Sequence, residues 1–278
     1  MKAYVLTYHS HRILGTGYAN NDHVALRADL EVVTANGCSI VPLDVIVERL
    51  RAPAVESSAR YVALTFDDGP SFDLEDVVHP EFGPQRSFAN IMRDFRASSG
   101  PDAQPRLHGT SFVIASAEAR LQMEQTYERE YTYVAPGSLG DGWWGQAIDS
   151  GLISIANHSW DHLHPGIRSV AHSQQARGDF ALVTTFEDAD AQILEAMRYI
   201  DARTRDRTAP YFAFPYGTFN AFLTDRYLPA RAREIGLAAA FTTEPRPIVG
   251  GENVWCLPRY VSGHHWKSPQ ELERILAS

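Results

Sequence analysis

Two carboxylates stand side by side in Leu64-Thr65-Phe66-Asp67-Asp68-Gly69-Pro70, directly after a run of strand-forming residues. On an extended strand, neighbouring side chains point to opposite faces, so both acids serve one site only if the chain turns there. Gly69-Pro70 is such a turn signal. Two like charges this close repel, and one resists ionising unless a cation lies nearby. The pair therefore asks for a metal, and the chain offers further ligands. His158 and His162 lie four apart in His158-Ser159-Trp160-Asp161-His162. On a helix that spacing sets both imidazoles on one face; here it follows a strand, and a tight loop or first helical turn is expected. Two imidazoles and one carboxylate make a facial triad that leaves positions open for water and substrate. Two histidines at this spacing are, taken alone, more often surface or capping groups. The Asp67-Asp68 pair on a neighbouring strand end turns the balance toward a metal.

The elements that must position these groups are short apolar runs alternating with amphipathic stretches. Strands are expected at Ala3–Thr7, Ser39–Pro42, Tyr61–Phe66, Thr110–Ala115, Leu152–Ala156, Tyr211–Phe214, Ala238–Thr242 and Val254–Leu257. Helices are expected at His23–Ala35, Ser87–Ala97, Asp188–Arg203, Leu228–Ile235 and Pro269–Leu276, several ending at glycine. Thr132–Trp144 and Pro165–Val183 read as loops over a rim. Repeated strand–helix alternation implies an α/β fold with a parallel sheet and helices outside. Seven or eight units predict a distorted (β/α)7-8 barrel forming a single domain over residues 1–278, with a doubly wound open sheet as the alternative.

In a β/α barrel the reactive groups gather at the carboxyl ends of the strands. Here the expected strands end in His9, in Asp67-Asp68, in His158, in Pro215-Tyr216-Gly217 and in Arg259. Each residue alone is unremarkable, and their shared position makes a rim.

Composition narrows the partners. The chain has 278 residues, 44% hydrophobic, and a net charge of −9. No basic stripe appears, which argues against nucleic acid and anionic membrane surfaces. No apolar run approaches a membrane span. The N-terminal MKAYVLTYHSHR lacks the long apolar region and cleavage site of a signal peptide, so a cytoplasmic location is the default expectation, with export as the alternative if a signal upstream of this sequence has been removed. Cys38 and Cys256 are expected to be reduced thiols in that compartment.

Thr65-Phe66-Asp67-Asp68-Gly69-Pro70, then His158–His162, then Phe214-Pro215-Tyr216-Gly217 resemble, in that order, the polysaccharide deacetylases with the NodB-type catalytic domain. The segment from Trp143 to His162 fits the same pattern, with Trp144 as a packing residue at a helix start. The resemblance implies a distorted barrel that hydrolyses N-acetyl groups of amino sugars. It implies Asp67 as general base, Asp68, His158 and His162 as ligands of one divalent metal, and the backbone N–H of Tyr216 as an oxyanion donor. Zinc is named first, with iron, cobalt, nickel and manganese open.

The sequence also departs from the family's pattern. Many members carry an arginine in the third motif to orient the acid, and here Ala213 stands near that place. This is similar to the circularly permuted branch that deacetylates poly-β-1,6-linked N-acetylglucosamine. Arg259 is the candidate replacement cation, with a loop-tethering role as the plain alternative. No late strand carries the general-acid histidine that many members have. The permuted branch delivers it from an N-terminal strand, which points to His9, with His264 in reserve and His11 just past the rim. His164 ranks below His162 as a ligand, Asp161 reads as solvated or supporting, and Asn157 as a loop tether.

The leading expectation is a metal-dependent N-deacetylase acting on an N-acetylated sugar or glycan, with a water activated by the ion, Asp67 as base and His9 as acid. One alternative is an amidohydrolase of the same fold acting on a small non-sugar amide in a closed pocket. Another is a non-catalytic carbohydrate-binding protein. A long glycan needs an open groove lined by aromatics, for which Trp143, Tyr216, Phe219, Tyr260 and Trp266 are candidates.

Overall fold

The computed structural model describes residues 2–52, 59–126, 132–172 and 174–278. Ten strands are present among them: β1 Lys2–Tyr8, β2 Ser39–Ile40, β3 Arg60–Phe66, β4 Val77–His79, β5 Gly83–Gln85, β6 Gly109–Val113, β7 Ile153–Asn157, β8 Tyr211–Ala213, β9 Ala239–Phe241 and β10 Tyr260–Val261. The main sheet runs β10-β1-β3-β6-β7-β8-β9, with β2 alongside the first half of β3. Every pairing in it is parallel. Strands β4 and β5 form a separate antiparallel pair.

The sheet curls into a distorted barrel, and residues 254–262 bridge its seam. The Ala240 amide donates to the Val254 carbonyl and the Leu257 amide to the Ala240 carbonyl, each at 2.8 Å. A few residues later β10 pairs with β1, and the Ser262 amide donates to the Thr7 carbonyl at 2.9 Å. One segment thus touches both edges. The expected strand at Val254–Leu257 is therefore a single parallel bridge, Phe241 to Leu257, and the ladder forms only at Tyr260–Val261. The apolar run looked like a strand, but only Leu257 is buried and Val254, Trp255 and Cys256 are half-buried at the seam, where the chain leaves one edge strand for the other.

Strand alternation sorts the core. Tyr4, Leu6, Tyr8, Val62, Leu64 and Phe66 face the outer helices, in one cluster with Leu26, Leu30, Phe88 and Met92. Ala3, Val5, Ala63, Phe112, Ala156, Ala213, Phe241 and Leu257 fill the interior. Both faces are buried, as a parallel sheet requires. The interior parity then predicts the site. Two residues beyond Ala156 stands His158, two beyond Leu257 stands Arg259, and four beyond Ala63 stands Asp67.

The helices at Asp22–Ala35, Phe88–Ser99, Leu228–Ile235 and Pro269–Ala277 lie where the apolar spacing and caps place them. Asn21 and Ser87 cap the first two through their side chains. The expected helix at Asp188–Arg203 extends from Phe186 to Thr204 and contains a π turn at Asp190–Leu194. That turn frees carbonyls for the site: Gln192 accepts from the Trp160 amide at 2.8 Å and Ile193 from the Asn157 side chain at 2.9 Å. Helices at Leu43–Arg51 and Ala117–Thr126 were not among those expected.

Candidate metal centre

Asp67 and Asp68 leave β3 through a sharp reversal. Asp68 has φ of 72° and Gly69 has φ of 69°, two successive left-handed residues. A side chain at Gly69 would meet Val113 Cγ1 at 2.7 Å, so only glycine lets the turn lie against β6. The turn answers the parity problem: the two adjacent acids reach one buried cluster because β3 ends at Phe66 and the chain reverses at Asp68-Gly69.

The second loop is shaped in the same way. Ser159 and His162 have φ of 73° and 59°. The Ser159 hydroxyl accepts from the His162 amide at 2.9 Å, and the Asp161 carboxylate accepts from the amides of Leu163 at 2.9 Å and Ala171 at 2.6 Å. Asp161 is thus a buried loop brace, not a solvated acid. Asn157 tethers the loop as expected, its Oδ1 accepting from the Ser159 amide at 2.8 Å. His158–His162 is a tight loop, and what brings its imidazoles together is left-handed backbone, not helical stacking.

The result is a buried cluster. Asp68 Oδ1 lies 3.5 Å from His158 Nε2 and 3.4 Å from His162 Nε2. Ligand atoms of Asp68, His158 and His162 all lie within 4.8 Å of one another. Asp68 Oδ1 accepts no hydrogen bond although it is buried, an arrangement that leaves a lone pair unsatisfied. His158 Nδ1 donates to the Ala213 carbonyl at 2.9 Å, which turns Nε2, as the acceptor nitrogen, toward Asp68. Two ligands of one tetrahedral ion, each about 2.1 Å from it, are separated by roughly 3.4 Å. The donor set and its spacing therefore fit a divalent ion, and one carboxylate with two imidazoles does not choose among transition metals.

Asp67 is held differently. Arg259, fully buried, donates from its two terminal nitrogens to Oδ1 at 2.8 Å and Oδ2 at 2.9 Å. Arg259 is itself fixed by the Thr242 carbonyl at 3.0 Å and stacks 5.3 Å from the Phe112 ring centroid. The missing arginine of the third motif is thus replaced in space by one from the seam segment. Burial alone would raise Asp67, but the Arg259 charge and then His158 hold it below the ordinary carboxylate range. Burial would likewise raise Asp68, and the imidazoles of His158, His162 and His11 hold it well below. Burial pushes His162 down to about 3, against the opposing charge of Asp68.

His9 follows β1 at the rim, half-buried, with its amide bound to Asp22 at 2.8 Å and its ring 5.5 Å from that of His11. Tyr216 has φ of 59° beside Gly217, and its ring packs edge-on to His162 at 4.5 Å. His164 lies farther out, its ring 6.3 Å from His162. His264 is exposed in the turn after β10, against His265. Of the aromatics expected to line a groove, Trp143, Tyr260 and Trp266 are buried in the core and Phe219 is partly buried. Tyr216 is the one left well exposed, at 42%. Trp144 is fully buried under Arg120, the packing role expected of it. Cys38 and Cys256 are both free thiols.

Two buried groups were missed. His11, expected past the rim, places Nε2 3.5 Å from Asp68 Oδ2. The reason is a turn: the Arg12 amide donates back to the His9 carbonyl at 2.9 Å, which folds the chain over the barrel end where an extended strand would run on past the rim. Burial pushes the His11 imidazole down to about 4, against the pull of Asp68. Asp73 accepts from the hydroxyls of Ser10 at 2.6 Å and Ser111 at 2.5 Å, and burial pushes it up to about 7. Its place five residues after Asp68, in a polar stretch, carries no periodic signal.

Residues 104–238 match the polysaccharide deacetylase family. That segment holds His158, His162 and Tyr216, while Asp67, Asp68, His9 and Arg259 lie outside it. No curated protein matches the chain. Among solved structures, the fold is similar to the Streptococcus pyogenes deacetylase PplD in complex with acetate, at TM-score 0.62 and 14% identity, covering 99% of this chain and 98% of that one. It is similar to a de-N-acetylase from Aggregatibacter actinomycetemcomitans, at TM-score 0.61 and 16% identity, covering 98% and 100%. It is also similar to IcaB from Ammonifex degensii, at TM-score 0.61 and 17% identity, covering 100% and 97%. At such identities these likenesses speak to the fold. The family match over residues 104–238 and these structural likenesses together support a NodB-type deacetylase domain.

Proposed function

We propose that the chain is a metal-dependent hydrolase that removes N-acetyl groups from an amino sugar or glycan. The observation that carries the reading is the division of labour between the adjacent acids. Asp67 is paired on both oxygens by Arg259, while Asp68 turns an unbonded oxygen to two imidazoles. Asp68, His158 and His162 would hold the ion, with zinc named first among the divalent candidates. Such an ion polarises an acyl oxygen and acidifies water.

The chain's own residues supply the rest. Asp67, kept ionised by Arg259, takes the proton of the attacking water. The Tyr216 amide, presented by a left-handed turn, donates to the oxygen that gains negative charge. His9 gives a proton to the departing nitrogen, and acetate and a free amine result. Burial of the acids excludes competing water and strengthens each of these interactions. His9 arriving on the first strand and Arg259 on the last segment favour the permuted, poly-N-acetylglucosamine-like branch, and the de-N-acetylase among the structural relatives supports the same reaction.

The test is acetate release from N-acetylglucosamine oligomers by metal-stripped protein, with zinc, cobalt, nickel, manganese or iron added back. Release that depends on the ion is expected. Acetate release unaffected by stripping would overturn the metal reading, and ammonia or formate from small amides in its place would move the chain to amidohydrolase chemistry.

A further inference from the structure

Asp68 uses its two oxygens on different neighbours. Oδ1 faces His158 and His162, and Oδ2 faces His11 at 3.5 Å. His11 does not join the three-residue ligand group. Its place is firmly built. The His11 carbonyl accepts from the Tyr133 amide at 2.7 Å and the Thr132 hydroxyl at 3.2 Å. One residue earlier, the Ser10 carbonyl meets His23 Nε2 at 2.7 Å and the Ser10 hydroxyl donates to Asp73. The turn that carries His11 is therefore braced from three sides.

A carboxylate with both oxygens free can rotate, or can grip an ion with both. Resting on the metal reading above, we propose that His11 is a positioning residue: its Nε2–H holds Asp68 Oδ2, so that Oδ1 alone is presented to the ion between His158 and His162. The contact is a few tenths of an ångström longer than an ordinary hydrogen bond, and bonds of this kind tighten when a site is loaded. One-point ligation by Asp68 keeps a coordination position for water or an acyl oxygen. Groups that orient a ligand in this way govern metal affinity.

The experiment is zinc affinity by chelator competition on the whole chain, with cobalt absorption spectra of the same variants. His11→Ala and His11→Phe, the second keeping the ring's bulk without its donor, are expected to weaken zinc about 10- to 100-fold. His11→Gln, whose amide N–H can reach Oδ2, is expected to recover most of that loss and to keep the parent's cobalt band. Zinc affinity of both donor-less variants within twofold of the parent would overturn the proposal. So would a His11→Gln protein as weak as His11→Ala with a changed cobalt band, which would make His11 a ligand. A parent chain that binds no zinc or cobalt fails differently: it removes the metal reading itself.

Discussion

Two buried carboxylates on opposite sides of the same wall behave as opposites. Asp29, on the first helix and 1% exposed, accepts from the hydroxyls of Tyr8 at 2.9 Å and Tyr18 and from Trp266 Nε1 at 3.1 Å. Asp68, 8% exposed, leaves Oδ1 without a hydrogen bond and sits on left-handed backbone. The first is a structural acid whose lone pairs are used, on regular helix. The second costs backbone strain of order 1–3 kcal/mol and an unsatisfied oxygen. A fold keeps such a group when something else completes it. On the proposed reading, the contrast separates residues that hold the barrel from residues that would hold an ion.

The contrast breaks most visibly at Asp68. Asp68→Ala should lose the bound metal and lower turnover by on the order of 10³-fold or more, with the melting temperature of the metal-free protein unchanged or raised. Metal content and calorimetry on one preparation check it. A metal-free protein destabilised as strongly as an Asp29 variant would make Asp68 a structural acid after all.

Next comes Asp67→Asn, which should keep the metal and lose about 10²- to 10⁴-fold in turnover. Full activity in this variant would remove the base assignment. Arg259→Leu acts through the same carboxylate. In the proposed mechanism Asp67 acts ionised, and Arg259 holds it below the ordinary range against burial. Without the guanidinium the proton is held to higher pH, so the acid limb of the rate profile should move upward. An unshifted limb would reduce Arg259 to a loop tether.

Asp29→Asn sharpens the other half. It should cost about 3 kcal/mol by leaving donors unpaired, with metal content and turnover per folded molecule intact. Burial pushes Asp29 up to about 7 from 3.8. The folded state then keeps a proton that the unfolded chain releases, so stability falls as pH rises between those values. Asp29→Asn should flatten part of that slope in urea titrations, and Asp73, also near 7, should contribute in the same direction. The smallest effect is expected from reductant, which should leave the melting temperature unchanged because Cys38 and Cys256 are unlinked.

Much of the barrel was legible because its signals are local. Val and Ile runs mark buried strands, and Asn21, Ser87 and Gly236 mark helix ends. The Asp68, His158 and His162 cluster was legible for a related reason: its three side chains come from two short motifs, and each motif carries its own turn residues. The aromatic lining misled because a tryptophan or tyrosine reads alike in a core and in a groove. Trp143, Tyr260 and Trp266 are core, and only packing decides that.

By itself, then, the chain's order of residues determined the alternating strands, the turn after Asp67-Asp68 and the candidate ligands, since each depends on neighbours within a few positions. Tertiary structure alone decided that Arg259 closes on Asp67 from 192 positions away, that a reversed turn carries His11 back to Asp68, and that Asp73 is buried between two serines. Those contacts form where separate strand ends converge, and no local pattern of charge or hydropathy encodes which ends will meet.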